Sequence, residues 1–525
     1  MLKRASKLMA GTMAMAMIVT ACGSGDTKGT DSGTGTKTTT GDNQTAPTAE
    51  TKKVNVKMMA NFSSSNLSET DKLLIESFEK ATNTQIQFDI PPSTGYNERL
   101  QLSLTTGDYP DVVFFSSPSL AAFQKAVKDG VVIPIDDYLK TAENIKKHSY
   151  DISWDALRVN DDNKIYGIPR TSVIRSDGYW LRKDWLDKLN IKLPANSEIT
   201  LEEMNNILSK FTKEDPDGNG RADTYGYAAY AGADKTLTPI FTNELGLYGW
   251  QDSTGGDYKY TNPQYDLNDD KYTKALELTS KLFKEGLIDP DAPTLNATTA
   301  QQRFESGKTG VLSGFAGNYE LILNNGKKVN PNFDLAYVFV RNEKGEMKGL
   351  GQGTGLYGFW AVTKNAKDPQ RVVDLFDYML SDKGWDQIYN GVEGKDYKVE
   401  NNTRVFTRPT LETFARKSIV RRANDYMFFI APDMSEDLKK ILIPHIEKSV
   451  KRMVLSKNRD YVPPIATTPE YLDFNKKISE VTTKIIVGDK PSSEYKKVLT
   501  EWNTKFGKTY MTEMNAYITK MEAKK

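Results

Sequence analysis

The stretch that decides the fold runs Val54-Asn-Val-Lys-Met-Met-Ala60, Glu69-Thr-Asp-Lys-Leu-Leu-Ile-Glu-Ser-Phe-Glu-Lys-Ala81 and Gln85-Ile-Gln-Phe-Asp-Ile90. Its outer segments are short and rich in apolar residues, as strands are. The middle one repeats apolar residues at helical spacing. Strand, helix and strand in that order form a βαβ unit, and two strands joined by a crossover helix lie parallel.

Working toward the C-terminus, a helix from Tyr96 to Thr105 leads through Gly107-Asp-Tyr-Pro110 into Asp111-Val-Val-Phe-Phe115. That apolar run, bounded by turn residues, suits a buried strand. A helix over 119–128 follows, then Val131-Val-Ile-Pro-Ile-Asp-Asp-Tyr-Leu139 and a less regular stretch. Tyr166-Gly-Ile-Pro-Arg170 precedes Gly178-Tyr-Trp-Leu-Arg-Lys-Asp-Trp-Leu186, and the first crossing to a second lobe is placed here. The second lobe carries its own helices, one of which is stopped by Gly286, where a left-handed residue is wanted. Leu335-Ala-Tyr-Val-Phe-Val340, Gly355-Leu-Tyr-Gly-Phe-Trp-Ala-Val362 and the helical pattern 369–380 are read as a return to the first lobe. The expected division is 53–177 with 335–390 for the N-terminal lobe, and 178–334 with 391–525 for the C-terminal lobe. A body of roughly 470 residues exceeds the size at which one core keeps growing, which agrees with two domains.

Working toward the N-terminus, residues 22–52 contain almost no large apolar side chains and read as a flexible tether. Before them, Met1-Leu-Lys-Arg-Ala-Ser-Lys7 and an apolar run too short to span a bilayer make residues 1–21 a signal peptide. The run ends Val19-Thr-Ala-Cys-Gly23, small residues ahead of the single cysteine of the chain. Cys22 thus stands where bacterial lipoproteins are acylated, which predicts anchoring to the outer face of the cytoplasmic membrane.

Composition excludes several classes of function. Lys plus Arg number 70 against 69 Asp plus Glu, a balance that argues against nucleic acid as a partner. One cysteine excludes an intramolecular disulfide and a thiolate metal cluster. Two histidines, His148 and His445, leave little material for a histidine-based catalytic site.

In its order of features the chain resembles the type II periplasmic-type solute-binding proteins, specifically sugar-binding family 1, which includes maltose- and alginate-oligosaccharide-binding proteins. The residues that carry the resemblance are the Cys22 motif, Gly107–Val112, Tyr166–Arg170, Gly286–Pro290 and the strand-helix unit ending at Leu380–Trp385. It implies an α/β fold of two lobes joined by a hinge with a ligand cleft between them. It also implies an oligosaccharide ligand, no catalysis, a monomeric state and delivery to the permease of an ABC importer. The residues leave open a membrane-anchored polysaccharide-acting enzyme, a glycosidase or lyase, and a binder of the same fold that takes a peptide.

Sugars present apolar C–H faces and many hydroxyls, so a sugar cleft wants flat aromatics and hydrogen-bonding edges on loops at strand ends. That criterion selects Phe62, Ser63, Tyr96, Ser116 and Ser117 in the first lobe. From the hinge and second lobe it selects Arg170, Arg175, Trp180, Tyr230, Phe315, Asn318 and Tyr319, and from the returning segment Tyr357 and Trp360. Glu393 and Tyr471 complete the set. By order along the chain, the resemblance places Phe315 and Tyr230 where maltose-binding protein has cleft aromatics. Trp185 and Trp385, at helical spacing, are assigned to the core, and the pairs Arg421-Arg422 and Lys451-Arg452 to solvated helix faces.

Asp215-Pro-Asp-Gly-Asn-Gly-Arg-Ala-Asp223 follows the first nine positions of an EF-hand loop. Oxygen donors at alternate positions predict a structural Ca2+ held by Asp215, Asp217, Asn219, the Arg221 carbonyl and Asp223. Gly226 stands at position twelve, where a bidentate glutamate is expected.

Overall fold

The computed structural model describes residues 52–62, 66–159, 162–232, 235–351, 355–407, 419–425, 429–459 and 461–523. The expectations placed on residues 1–51, Cys22 included, and on Ser63 lie outside the described residues. Among those described, no helix is long and apolar enough to cross a membrane.

The opening βαβ unit forms as read. Strand β1 (Val54–Met59) pairs parallel with β2 (Thr84–Asp89), and helix Glu69–Thr82 crosses between them. Ser68 and Asp71 cap that helix reciprocally, the Ser68 Oγ accepting the Asp71 N–H at 3.1 Å. Asn83 ends it in the left-handed region. Its buried face, Leu74, Ile75 and Phe78, packs in the core of the first lobe.

β3 is Val112–Phe115, β4 Ile168–Thr171, β5 Gly178–Arg182, β6 Glu198–Ile199 and β7 Tyr225–Tyr227. β8 (Gln251–Asp252) and β9 (Tyr260–Thr261) form a small hairpin; β10 is Thr309–Gly314, β11 Leu335–Val340, β12 Gly349–Leu350 and β13 Leu356–Val362. β14 (Tyr397–Glu400) and β15 (Thr403–Phe406) form another hairpin, and β16 (Met453–Val454) pairs with β12. One five-stranded sheet has the order β2-β1-β3-β13-β4 and the other β6-β11-β5-β10-β7. In the first, β13 runs antiparallel to both β3 and β4, so β1 to β4 all point the same way. In the second, β5 runs against β10 and β11. The alternation of a strand puts Tyr179 and Leu181 of β5 on one face and Trp180 on the other, each in its own apolar core.

The division of the chain needs correction at two places. Leu335–Val340 pairs with β5 in the second sheet, so the return to the first sheet comes at β13 and not at residue 335. Farther on, Ile419 and Val420, assigned above to the C-terminal lobe, pack in the core of the first. An apolar strand carries no mark of which sheet it joins; pairing decides that. The helices Pro469–Ile486, Ser493–Trp502 and Lys508–Glu522 pack in the core of the second sheet.

Candidate ligand-binding cleft

In open α/β sheets ligands sit beyond the carboxyl ends of the strands. Here those ends belong to β1, β2, β3 and β4, with the start of antiparallel β13 between β3 and β4. Arg170, the third residue of β4, is 4% exposed. Its guanidinium carbon lies 4.7 Å from the centroid of the Phe114 ring and 4.8 Å from that of Tyr357. Tyr357 is 55% exposed although its strand has a neighbour on each side. The cause is a shift of register between Leu356 and Phe359, a bulge that re-aims the side chain between them. Gly358 makes the bulge possible, with φ of 89° and a position where an added Cβ would fall 2.1 Å from Phe114 Cζ.

A second guanidinium, that of Arg421, lies with its carbon 4.2 Å from the centroid of the same ring. Arg421 comes from a strap, residues 419–425, held to the first lobe at several points. Trp360 Nε1–H donates to the Ile419 carbonyl at 2.7 Å, and Thr171 Oγ1–H to the Arg421 carbonyl at 2.7 Å. The Ala423 N–H donates to the His148 carbonyl and the Asn424 N–H to the Tyr150 hydroxyl. Burial, and then the charge of Arg421, holds Arg170 down to about 9. Burial likewise holds Arg421 down to about 10, with Tyr357 opposing and Arg175 adding to the shift.

Arg175 lies on the connection from β4 to β5, with its guanidinium carbon 3.8 Å from the ring centroid of Phe315 and 5.6 Å from that of Phe429. Its Nε–H donates to Asp177 Oδ1 at 2.9 Å. Phe315 directly follows β10 of the second sheet and meets Phe429 edge-on at 4.6 Å. Guanidiniums thus lie over rings at the strand ends of both sheets, Arg170 and Arg421 on Tyr357 and Arg175 on Phe315, the last ring being 7% exposed at the edge of a core of the second sheet. Rings supply faces for apolar C–H surfaces, and guanidinium edges supply paired donors.

The structure brings together Arg170, Arg175, Phe315 and Tyr357 from the predicted set. Ser116 is exposed just after β3, and Ser117 Oγ lies 2.8 Å from Ser119 Oγ. Tyr230 is 40% exposed beyond β7, and Asn318 is exposed beyond Phe315. Glu393 is exposed at the base of the β14–β15 hairpin, bridged to Tyr397.

The other predicted wall residues are packed inside. Phe62 lies against Phe88 in the first core, and the Tyr96 hydroxyl donates to the Phe114 carbonyl at 2.7 Å, tying its helix to β3. Trp180 and Trp360 are fully buried. Tyr319 packs on Trp180, and Tyr471 stacks on Tyr510 among the C-terminal helices. Each is an aromatic whose ring points inward, Trp180 and Trp360 from inside a strand and the others from nearer an element's end.

Of the two pairs, only Lys451, exposed at the end of helix Glu436–Lys451, fits a solvated helix face. Arg421 and Arg422 lie outside any helix, and Arg422 donates to the Leu380 carbonyl and pairs with Asp382. Arg452 is buried, donates to the carbonyls of Lys348 and Asp177, and lies 3.7 Å from the buried carboxylate of Glu244. Arg421, Phe429 and Phe114 were missed as cleft residues. Nothing periodic marks the strap, and its Asn424 bonds to Tyr150, 274 positions away. A separate groove of about 780 Å³, lined by residues such as Asp136, Trp154, Arg158 and Arg459, shares none of these arginines and rings. Its charges are largely paired with one another, Arg459 with Asp155 and Arg158 with Asp136.

In the 215–223 loop, the Asp215 carboxylate accepts the N–H groups of Gly218, Asn219 and Gly220 at 3.0, 3.1 and 3.1 Å. Asn219 Nδ2 donates to Asp217 Oδ2 at 2.8 Å and to Asp223 Oδ1 at 3.1 Å. Burial and its hydrogen bond with Asp215 push the Asp217 carboxyl up. The amide thus stands between two carboxylates, the place a cation takes in such a loop, so the donor set fits Ca2+. Among the described residues, no three Asp, Glu, His or Cys side chains, those of this loop included, are gathered closely enough to hold a metal. Gly226, at position twelve, lies in β7, and a Cβ there would be 2.7 Å from the Leu208 carbonyl oxygen. A glutamate has no room at that position.

A model of the family described as bacterial extracellular solute-binding protein matches residues 64–384. The polygalacturonan/rhamnogalacturonan-binding protein YtcQ of Bacillus subtilis is 25% identical over 460 residues, 84% of this chain and 86% of that one. Among solved structures, alginate-binding protein AlgQ2 without calcium ion superposes with a TM-score of 0.62 at 18% identity, covering 89% of this chain and 98% of that one. An EF-hand mutant of the S. pneumoniae ABC-transporter substrate-binding protein FusA, in complex with fructo-nystose, superposes with a TM-score of 0.60 at 20% identity, covering 90% and 100%.

Proposed function

The chain belongs to the bacterial extracellular solute-binding protein family, and from that premise we propose that its solute is an oligosaccharide, captured between the two lobes and handed intact to the permease of an ABC importer. The observation that carries the reading is that guanidiniums lie over rings at the strand ends of both lobes, Arg170 and Arg421 on Tyr357 in the first and Arg175 on Phe315 in the second. A ligand that touches both ends favours the closed arrangement by its differential affinity, and that arrangement is what a permease reads. Relatives support the sugar: YtcQ is named for polygalacturonan and rhamnogalacturonan, and FusA is solved with fructo-nystose.

Calorimetric titration with a panel of oligosaccharides, followed by mass analysis of the recovered sugar, tests the proposal. Saturable binding with the sugar unchanged is expected. Shortened products would instead make the protein an enzyme, and a silent panel would remove the oligosaccharide.

The same reading includes a monomer held at the outer face of the membrane by a lipid on Cys22, with residues 1–21 removed and 22–52 as its tether. Metabolic labelling with a fatty acid tests it, and label that persists in Cys22→Ser overturns it. The 215–223 loop holds a structural Ca2+ through Asp215, Asp217, Asn219, the Arg221 carbonyl and Asp223. Chelation by EDTA is expected to lower Tm, and an equal Tm with and without EDTA removes the ion.

A further inference from the structure

Three passages of the chain lead from one lobe to the other. The first joins β4 to β5, and the second joins β11 to β13. The third leaves the strap, whose Ile419 and Val420 lie in the first core, and reaches Ile430, which shares a core with Trp180 of β5. One side chain of the first lobe, Tyr150, meets a residue of each passage. It precedes the helix Asp151–Ala156, and its carbonyl accepts the N–H groups of Ser153 and Trp154, which seats it at the helix start. Trp154 in turn packs on the first core.

The Tyr150 hydroxyl accepts the Asn424 N–H of the third passage at 2.8 Å. The main chain of Ile174, on the first passage, hydrogen-bonds the same hydroxyl, and the two bonds oppose the upward push of burial on its pKa. The ring lies against Gly355 of the second passage, where an added Cβ would fall 2.5 Å from Tyr150 Cδ2. Gly355 has φ of 73°, and its carbonyl accepts the Ser172 N–H at 2.7 Å, so the first two passages are tied to each other beside the ring. On the second-lobe side, the buried Arg452 donates to the carbonyls of Asp177 and Lys348 at 3.3 and 2.8 Å, one on each of the same two passages. Only Arg175 and Ser176 separate Ile174 from Asp177, so little of the first passage is left to bend between the two holds.

A lobe that turns must bend its passages, and a few residues absorb the change. Apparent affinity scales with the fraction of molecules in the binding-competent arrangement. A residue that narrows the range of arrangements thus acts on capture through the chain and not through the solute. We propose that Tyr150 is a positioning residue of the hinge: its hydroxyl and ring hold one residue of each passage to the first lobe, and so limit how far the lobes range when no solute is bound. This role depends on the two-lobed fold and on no particular solute.

The test is the interlobe distance distribution of the full chain without ligand, read by double electron–electron resonance. Spin labels are placed at Lys125→Cys and Lys497→Cys, exposed positions on helices of the first and second lobes, with Cys22→Ser so that no third label attaches. Tyr150→Phe keeps the ring and removes the oxygen. The population outside the main distance is expected to rise about five-fold, the worth of one hydrogen bond. Tyr150→Ala also uncovers Gly355 and should widen the distribution further. Tyr495→Phe removes a hydroxyl that donates to the Gln264 carbonyl at 2.7 Å within the second lobe, and should lower Tm without widening the distribution. An unchanged distribution in Tyr150→Phe overturns the role, as does equal widening in Tyr495→Phe.

Discussion

Two regions of this molecule are dense in aromatic rings, and they keep different company. Around Trp502, rings meet rings: Tyr265 stacks on Trp502 at 5.0 Å, Tyr471 on Tyr510 at 5.6 Å with planes 6° apart, and Tyr510 meets Trp502 edge-on at 5.3 Å. Burial pushes the hydroxyls of Tyr265 and Tyr510 well up. At the cleft, rings meet guanidiniums, and Tyr357 remains largely exposed. The lesson is that the number of aromatics does not mark a sugar site; what shares their faces does. Rings that cover one another leave no face for a ligand, and a ring flanked by arginines at the surface has an edge and a neighbourhood that still interact.

The contrast can be broken by substitution. Trp502→Ala is expected to cost about 3–5 kcal/mol of stability in urea unfolding, with affinity of the surviving folded protein unchanged; an affinity loss larger than the stability loss would move the C-terminal cluster into the site. Tyr357→Ala should do the reverse. It removes an exposed ring, so stability should stay within about 0.5 kcal/mol, while oligosaccharide affinity falls about ten-fold, as for a ring central to an interface. Equal loss in both measurements would erase the distinction between the regions.

A smaller effect comes from His445, a titratable ring in ring-packed surroundings, 5.3 Å from Tyr337 and 6.3 Å from Phe339. Burial, assisted by Lys448, pushes its imidazole from 6.5 down to about 4. The unfolded chain therefore takes up a proton that the folded one refuses. Stability attributable to this site is complete above pH 6.5 and is lost as pH falls toward about 4. Tm measured across that range should decline, and His445→Phe should flatten part of the decline.

Much of the architecture was legible because it is periodic. The βαβ opening, the capped helix from Glu69 and the buried strand at Val112 announce themselves through spacing and bounding turns. The destination of Leu335–Val340 was not legible, because a uniformly apolar strand pairs wherever a partner strand presents its edge. At the site, Arg170, Arg175, Phe315 and Tyr357 stand where strands end and the chain crosses, positions that sequence order can locate. Trp180 and Trp360 stand inside strands, where alternation turned their rings into the cores. Arg421 had no local signal at all. It reaches Tyr357 because Thr171, Trp360 and His148 hold the main chain around it, contacts visible only once the chain is folded.

The parallel run of β1 to β4 also settles where the body can be grasped. Val54, whose N–H donates to the Asn83 carbonyl, begins β1 at the rim of the sheet away from its carboxyl ends. The six residues of β1 separate that rim from the cleft side by about 20 Å. A label or immobilisation point placed at the start of β1 therefore lies on the side of the sheet away from the mouth and leaves the binding side uncovered.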